Sequence, residues 1–484
     1  MKASNDQHAI IRLDETFELQ RKAYFNNSNP DLETRLAWLE RIPAMMMQYA
    51  DRIADALNED YGYHNRLTAY LFDVLNVAER AGYAMANLKS WMARDYREME
   101  TAIYGDSRAY IDYQPKGVIG NLPAWNFPVD LSVGPLVEML AAGNRVIIKP
   151  SEQVPAVGEV LAEMLGEHFD RDLVWVVNGE LDLARHFSSL PWNHLLYTGN
   201  ATIGREVMLK AAENLVPVTL ELGGKNPTVF TEEAVNEQNV RTMLGSKLCK
   251  NGQLCITVDH VYVPESQLQK FTSLVRDVIE STMGDYTNSP MMGCAVINRR
   301  QRDRVQGYID DARERVPGSV IEIGSPAHAE GPNRMPLTLV VNPPQEALLC
   351  QHEIFGPVLP IHTYGDFDEV VEKIKTGERP LGVYIFSNNP DRIEQLRRNS
   401  SSGGFTVNGP SMQGALASLG FGGVGKSGMG RHHGIEGFRE FSNPRGIVEI
   451  ADNAQLDPIL SPHGESTRQL IAAATNGVLC SNID

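Results

Sequence analysis

A regular alternation of short apolar runs with helical segments most strongly limits the folds open to this chain. Strands that alternate with helices of this length form parallel βαβ units in a doubly wound sheet. In such sheets ligands bind beyond the carboxyl ends of the strands. The sequence therefore predicts an α/β fold with a Rossmann-type parallel sheet. The strand-like runs lie at 118–119, 145–149, 173–177, 194–197 and 218–221.

A second region with the same alternation spans residues 229–407 and predicts a second α/β domain, which carries Cys255. Weak alternation at 104–113 predicts a short hairpin. Most of the first hundred residues have helical spacing, and residues 68–94 predict one helix. The side chains predicted to face inward from that helix are Leu71, Val74, Leu75 and Ala78.

Composition and charge exclude several classes of function. The net charge of −17 comes with no local basic patch, which argues against nucleic acid as a partner. No apolar run approaches the roughly 18 residues of a membrane span, and the first residues lack the apolar core of a secretory signal. Five scattered cysteines indicate a reducing compartment, so we expect a cytoplasmic location.

Histidine and cysteine spacing predicts no metal site, because no paired Cys-x-x-Cys motif occurs and adjacent histidines point in different directions. His432 and His433 are interpreted as exposed polar residues near a glycine-rich loop. That loop, 422–430, superficially resembles a phosphate-binding loop. Its Lys-Ser pair is followed by more glycine instead of a long helix, so a structural loop lining a site is the better interpretation.

Two residues are candidates for covalent chemistry. Cys255 follows a tight Asn251-Gly252 turn and is a candidate thiol nucleophile, although a single cysteine is more often a small buried apolar residue. Cys249 and the other cysteines receive that second interpretation. Glu221 ends a predicted strand before two glycines, where it could act as a general base, bind a ribose or cap a helix.

Two further strand-to-helix junctions are candidates for ligand binding. Lys149 and Glu152 flank one of them, where the alternatives are a solvated lysine and a glutamate that stabilises the helix dipole. Gly199, Asn200 and Gly204 lie at the other, in the context that favours phosphate binding at a helix N-terminus. The spacing is not Gly-x-Gly-x-x-Gly, so this junction alone does not identify a dinucleotide site.

In combination these motifs resemble the aldehyde dehydrogenase superfamily, and they occur in the order typical of that family. The resemblance extends from about residue 32 to residue 441 and is strongest to the shorter class 3 branch and, within it, to coniferyl aldehyde dehydrogenases. The sequence departs from the family pattern at Ala124, Gly409 and Gly420, all in loops on the substrate side. The seven matching motifs are 124–128, 148–152, 197–200, 221–227, 252–255, 353–358 and 422–430.

The resemblance implies an NAD(P)-dependent oxidation of an aromatic or medium- to long-chain aliphatic aldehyde to its acid. Cys255 is then the nucleophile, Glu221 the base that activates water, and Asn126 an oxyanion donor. The implied cofactor is NAD, because Glu152 repels a 2′-phosphate, while class 3 enzymes also accept NADP. Two alternatives stay open, a CoA-acylating aldehyde dehydrogenase and a non-catalytic protein on this fold. The implied cofactor-binding residues are Lys149, Glu152, Trp125, Gly199, Asn200, Gly204, Glu353 and Phe355.

The resemblance also implies a domain organisation. Residues 1–103 and 114–221 are expected to form the NAD(P)-binding domain, and 222–410 the catalytic domain. Residues 104–113 and 435–450 resemble the family's oligomerisation arm, which implies a homodimer or a dimer of dimers, and 451–484 form a C-terminal tail.

Overall fold

The computed structural model describes residues 2–326 and 332–479, whose strands form three sheets. In chain order the strands are β1 Asp95–Arg97, β2 Arg108–Pro115, β3 Val118–Leu122, β4 Arg145–Ile148, β5 Val174–Val176, β6 His194–Gly199, β7 Val218–Leu222, β8 Pro227–Phe230, β9 His260–Pro264, β10 Val320–Ile323, β11 Leu337–Val341, β12 Val358–Tyr364, β13 Gly382–Phe386, β14 Gly404–Val407, β15 Gly428–Met429 and β16 Ser442–Glu449. The helices are α1 Lys2–Asn26, α2 Leu32–Leu39, α3 Arg41–Gln48, α4 Ala50–Tyr61, α5 Arg66–Thr68, α6 Asn76–Trp91, α7 Thr101–Tyr104, α8 Asp130–Ala141, α9 Pro155–His168, α10 Leu181–Ser189, α11 Ala201–Ala212, α12 Glu237–Leu248, α13 Leu268–Met283, α14 Arg299–Arg315, α15 Leu348–Gln351, α16 Phe367–Thr376, α17 Pro390–Asn399, α18 Gly434–Glu440 and α19 Glu465–Ala474.

The first sheet has the strand order β15-β7-β6-β3-β4-β5, and every strand except β15 runs parallel to its neighbours. Every residue of β3 and β4 is buried, as expected of strands covered by helices on both faces. The predicted doubly wound sheet is confirmed. The short β15 lies antiparallel to β7 and pairs Gly428 with Glu221, so the glycine-rich loop returns to this sheet.

The second sheet has the order β10-β11-β12-β9-β8-β13-β14, in which only β10 is antiparallel. All of its strands lie between residues 227 and 407, and helices and loops connect them. This confirms a second α/β unit. A separate apolar core packs against this sheet, centred on the stacked rings of Phe230 and Phe386.

The third sheet is antiparallel and has the order β1-β2-β16. The predicted hairpin at 104–113 is wrong, since residue 104 ends the short helix α7 and β2 pairs with β1 and the distant β16. Alternation identifies a strand but not its partner, which here comes from the other end of the chain. The tail begins against this sheet, where Asn453 Nδ2 donates to Asp106 Oδ2 at 2.9 Å. Residues 480–484 of the predicted tail lie outside the described residues.

The predicted helix 68–94 is interrupted by a π-helical segment, Ala69–Leu75, ahead of α6. The inward orientation predicted for Leu71 and Leu75 is wrong, because both are exposed while Asp73 and Val74 are buried. A π-turn adds one residue to the helical period and so rotates the side chains that follow it. Here the rotation turns the Asp73 carboxylate towards the second domain.

Two absences apply to the described part of the chain. None of its helices is long and apolar enough to cross a membrane. No group of three or more His, Cys, Asp or Glu side chains within residues 2–326 and 332–479 is arranged to hold a metal ion.

Candidate active site

The turn that carries Cys255 has an unusual backbone. After α12 a single 3-10 turn, Cys249–Gly252, contains three successive left-handed residues, with φ of 48° at Lys250, 57° at Asn251 and 78° at Gly252. A left-handed residue other than glycine costs about 1 kcal/mol or more and persists only where its surroundings fix it. Gly252 is required, since a Cβ there would collide with the carbonyl oxygen of Gly356.

Asn226 holds the other side of this turn. Its Nδ2 donates to Cys255 O at 2.7 Å and to Thr257 O at 2.9 Å, while its Oδ1 accepts from Gly382 N at 2.8 Å. The buried amide therefore ties the cysteine backbone to β13. Sequence reasoning included Asn226 in a matching motif but gave it no role. The asparagine between Lys225 and Pro227 shows no spacing that would have indicated one.

Cys255 is half-buried, and two carboxylates lie near enough to repel a negative charge on its thiol. Burial raises the pKa of this thiol far above its usual value, and Glu353 and then Glu221 raise it further by like-charge repulsion. The backbone N–H groups of Cys255 and Ile256 oppose the shift by donating to sulfur. The structure thus brings the predicted nucleophile together with both predicted carboxylates, beside backbone donors that favour negative charge.

Glu221 is enclosed at the end of β7, with 3% of its surface exposed. Burial raises the pKa of its carboxyl well above the usual value, Glu440 adds to the shift, and Arg431 and Arg80 oppose it. Neither carboxyl oxygen has a hydrogen-bond partner among the described residues. Leaving such a group unsatisfied costs free energy, so a buried carboxylate without a partner is typical of a functional site.

The interpretation of His432 and His433 as exposed is wrong, since both are buried at 2% and 5% exposure. His432 Nε2 lies 3.9 Å from Glu221 Oε1, and Arg80 Nη2 lies 2.9 Å from His432 Nδ1. Arginine only donates, so Nδ1 accepts and the ring proton is on Nε2, towards Glu221. Local sequence gave no signal for this contact, because β15 brings the loop back across the sheet.

Asn126 reaches the same place from the other domain. It lies in the loop between β3 and α8, and its Nδ2 donates to Gln253 O at 3.1 Å, two residues before Cys255. Tyr61 fixes the loop from behind, where its hydroxyl donates to Trp125 O at 3.0 Å and to Asn126 O at 3.2 Å. The side-chain amide of Asn126 is therefore held against the turn that carries the thiol.

Several predicted cofactor-binding residues lie at the carboxyl ends of the first sheet. Lys149 follows β4 and its Nζ contacts Glu152 Oε2 at 3.1 Å. Lys149 is buried, whereas the side chain of Glu152 is 37% exposed and open to a ligand. Asn200 caps α11 by accepting from Ile203 N at 3.0 Å. Gly204, in the first turn of that helix, packs so closely on Leu222 that a side chain would not fit.

A second group lies between the sheets. Glu353 is half-buried, its Oε1 has no partner among the described residues, and burial raises the pKa of its carboxyl to about 7. This carboxyl occupies the space that a Cβ at Gly223 would fill. The Trp125 and Phe355 rings meet edge to face, with centroids 5.3 Å apart. The unpaired Oε1 of Glu353 suits a ribose hydroxyl, and the two rings suit the flat nicotinamide ring, so these residues fit the implied cofactor.

Comparison with known proteins agrees with this geometry. The aldehyde dehydrogenase family matches residues 12–447, so the chain belongs to that family. It is 34% identical to the coniferyl aldehyde dehydrogenase of Pseudomonas sp. strain HR199, over 95% of this chain and 96% of that one. It is 30% identical to a dimeric NADP-preferring aldehyde dehydrogenase of Canis lupus familiaris, over 95% and 98%. The substrate-bound structure of Staphylococcus aureus AldH superposes with a TM-score of 0.88 at 27% identity, covering 96% of this chain and 99% of that chain.

Proposed function

We propose that this protein oxidises an aromatic or medium- to long-chain aldehyde to the carboxylic acid through a thioester on Cys255, with NAD or NADP as hydride acceptor. The observation that carries the proposal is the arrangement around the thiol. Two carboxylates, the buried Glu221 and the half-buried Glu353, act on the Cys255 thiol by repulsion, and the Asn126 amide from the opposite domain is bonded to Gln253 O in the same turn. Acyl transfer needs such a set of nucleophile, base and oxyanion donor.

In the first half-reaction Cys255 gives up its thiol proton to solvent, its Sγ then bonds to the aldehyde carbon, and the carbonyl electron pair moves to oxygen. The Asn126 amide and the Cys255 N–H donate to that oxygen; one such donor contributes about 3 kcal/mol. An amide nitrogen has two hydrogens, so the bond from Asn126 to Gln253 O leaves one for the substrate. Loss of hydride from the former aldehyde carbon leaves a thioester on Cys255.

In the second half-reaction Glu221 accepts a proton from water as the water oxygen attacks the thioester carbon. The C–S bond then breaks, the sulfur leaves as thiolate, and the carboxylic acid is released. The raised pKa of Glu221 makes it a stronger base than an exposed carboxylate. His432 Nε2, which lies 3.9 Å from Glu221 Oε1, directs its ring proton towards the base.

NAD or NADP, when bound, supplies the hydride acceptor. We assign Lys149 and Glu152 to its adenosine ribose, Glu353 to its nicotinamide ribose, and Trp125 with Phe355 to its nicotinamide face. The junction of β6 and α11, with Gly199, Asn200 and Gly204, is assigned to the pyrophosphate, because backbone N–H groups and the helix dipole favour anions there.

Replacement of Glu152 by glutamine is expected to raise the ratio of NADP to NAD use by about tenfold, or roughly 1.4 kcal/mol. The reason is that the carboxylate repels a 2′-phosphate, and its loss leaves Lys149 free to pair with one. The ratio of kcat/KM for the two cofactors measures the effect. Glu159→Gln, an exposed position on α9, is the matched control. An unchanged ratio in Glu152→Gln would remove this residue from the cofactor site.

The substrate class is supported by two observations. The coniferyl aldehyde dehydrogenase relative acts, by its name, on an aromatic aldehyde. In this chain Ile256, the residue after the nucleophile, and Phe421 of the glycine-rich loop both pack against Gly414, which places apolar and aromatic surface near the thiol.

Aldehyde panels therefore test the proposed function directly. Aromatic and long-chain aldehydes are expected to give at least about tenfold higher kcat/KM than acetaldehyde, since a larger apolar body buries more surface against Ile256 and Phe421. NADH formation is measured with and without CoA. Release of free acid at a rate independent of CoA supports hydrolysis at Glu221. A requirement for CoA supports the acylating alternative, and no NADH with any aldehyde supports a non-catalytic protein.

We also propose a homodimer, or a dimer of dimers, assembled through strand edges. Strand β16 pairs with β2 on one side only, and β14 is the last strand of the second sheet, so both have an open edge within the described chain. Val448 and Ile450 are 59% and 51% exposed at the end of β16. A cytoplasmic location is proposed on the scattered cysteines, and the four described ones are free thiols.

A further inference from the structure

Lys250, five residues before Cys255, is completely enclosed although its side chain is cationic. Its Nζ lies 2.7 Å from His64 Nε2 and 3.4 Å from Asp73 Oδ2. Lysine only donates, so His64 Nε2 accepts and its Nδ1 carries the proton that bonds to Asn65 O at 3.1 Å. Burial, and then Lys250, lowers the pKa of His64 well below the usual value, which keeps the ring neutral.

Two aromatic rings complete the enclosure of Lys250. Its Nζ is 5.2 Å from the centroid of Tyr61 and 4.8 Å from that of Phe127, within the range of cation–π attraction. The Tyr61 hydroxyl donates to the backbone of Trp125 and Asn126, and Phe127 is the next residue. Both rings are thus attached, by a hydrogen bond or by the chain itself, to the segment that carries the oxyanion donor.

Asp73 connects Lys250 to the same segment by a second route. It is fully buried in the π-helical segment 69–75, and burial raises the pKa of its carboxyl. Lys250 opposes that shift, as do the backbone N–H groups of Val129 and Asp130. Those two residues begin α8 directly after the oxyanion segment. Asp73 therefore faces both the ammonium group and the start of the helix that follows Asn126.

The backbone at Lys250 makes these contacts matter for the nucleophile. Lys250 and Asn251 are both left-handed, a conformation that side chains other than glycine adopt only where their contacts fix it. Asn251 is fixed by Tyr286, whose hydroxyl donates to Asn251 Oδ1 at 2.5 Å. Lys250 is fixed by the cluster of Tyr61, His64, Asp73 and Phe127, all from the first part of the chain.

We infer that Lys250 is a positioning residue that locks the turn carrying Cys255 to the segment carrying Asn126. It contacts no reacting atom and acts through the alignment of nucleophile and oxyanion donor. The inference rests on the proposed function, because only an attack at Cys255 with an oxyanion at Asn126 requires that alignment. Thioester hydrolysis forms an oxyanion at the same carbon, so the alignment also serves the second half-reaction, whereas the base Glu221 lies on β7, outside the cluster.

Lys250→Met tests the inference, because methionine keeps most of the volume and removes the ammonium group. In stopped-flow experiments with NAD and an aromatic aldehyde, the rate constant of the NADH burst is expected to fall about tenfold, as for a small misplacement of reacting groups. The burst amplitude stays at the wild-type value, and thioester hydrolysis slows by a comparable factor, because its oxyanion uses the same donors. When Lys250→Met is added to Asn126→Ala, the burst rate falls by less than about threefold relative to Asn126→Ala alone. The reason is that both changes remove the same alignment.

Arg35→Met is the matched control for loss of a buried cation. Arg35 is also fully buried, and it donates to Pro30 O, Ala141 O and Asn29 Oδ1, none of which belongs to the site. It is expected to lower the melting temperature without changing the burst rate. Tyr61→Phe removes the hydroxyl bonds to the oxyanion segment and is expected to slow the burst in the same non-additive way, so it serves as the test if Lys250→Met does not fold.

The outcomes separate this inference from the proposed function. A wild-type protein without any NADH burst overturns the proposed function itself. If the wild type shows a normal burst, three results for Lys250→Met overturn only the role of Lys250. These are an unchanged burst rate, a reduced burst amplitude at the wild-type rate, and a loss of rate that is additive with that of Asn126→Ala.

Discussion

Replacement of Cys255 by alanine is expected to abolish aldehyde-dependent NADH formation, with a loss of roughly 10⁴-fold or more in kcat. Without sulfur at this position no covalent adduct forms, and the neighbouring donors and carboxylates cannot supply a nucleophile. Steady-state NADH formation measures the loss. Cofactor binding, measured by fluorescence quenching, stays within about twofold of the wild type, because alanine leaves the fold around Asn226 in place.

Cys249→Ala is the control, since Cys249 precedes the same turn and is also half-buried. Its surroundings differ, because burial raises the pKa of this thiol to about 12 and its neighbours are Lys250 and Asp73 instead of the two carboxylates. Activity within about threefold of the wild type is expected, as for a small apolar residue replaced by a smaller one. Retained turnover in Cys255→Ala together with loss in Cys249→Ala would assign the reaction to Cys249 instead of Cys255.

The parts of the fold that follow from local pattern were predictable from the sequence. Buried strands such as β3 and β4 are short apolar runs between helical segments, and parallel order follows from that alternation. The hairpin at 104–113 was wrong because β2 pairs with a strand more than 300 residues away in sequence. The inward face of residues 68–94 was wrong because a π-turn rotates the helix to bury Asp73. Neither the remote partner of β2 nor the π-turn before α6 leaves a local pattern in the sequence.

The same distinction applies to the candidate site. Glu221 lies at a strand end and Cys255 follows a tight turn, and such positions are visible in sequence, whereas the roles of Asn126 and Glu353 came from the family resemblance. The residues that hold them were not visible. Lys250, His432 and Arg80 act through partners from remote segments, so their spacing along the chain contains no information about their contacts.

These supporting contacts explain how charges are tolerated in a closed site. The ion pair of Arg80 with Glu138 is fully buried, and Arg80 also contacts His432, which faces Glu221. Arg80, which is held by Glu138, thus orients the neutral His432 ring towards the Glu221 carboxyl. Burial outweighs these contacts at Glu221, because the pKa of its carboxyl remains raised. The base is therefore protonated over a wider pH range than an ordinary carboxyl.

Glu221→Gln is expected to retain the NADH burst and to lower steady-state turnover about 100-fold or more. The amide keeps the shape of the side chain but cannot accept a proton from water, so the thioester on Cys255 accumulates. Intact-protein mass after incubation with aldehyde and NAD shows the acyl adduct. In the wild type, thioester hydrolysis increases with pH through the raised pKa of Glu221, because only the carboxylate form is the base. In Glu221→Gln that increase is absent.

Glu440→Gln provides a control in which the base remains. Glu440 accepts from Thr219 Oγ1 at 2.5 Å and raises the pKa of Glu221 by repulsion, so its neutralisation lowers that pKa. Thioester hydrolysis in this variant is expected to persist and to increase with pH at lower values than in the wild type. An unmodified mass in Glu221→Gln, or the same pH profile in that variant and the wild type, would show that another group activates the water. Glu353, whose carboxyl pKa is raised to about 7 beside the same thiol, would then be the base to test.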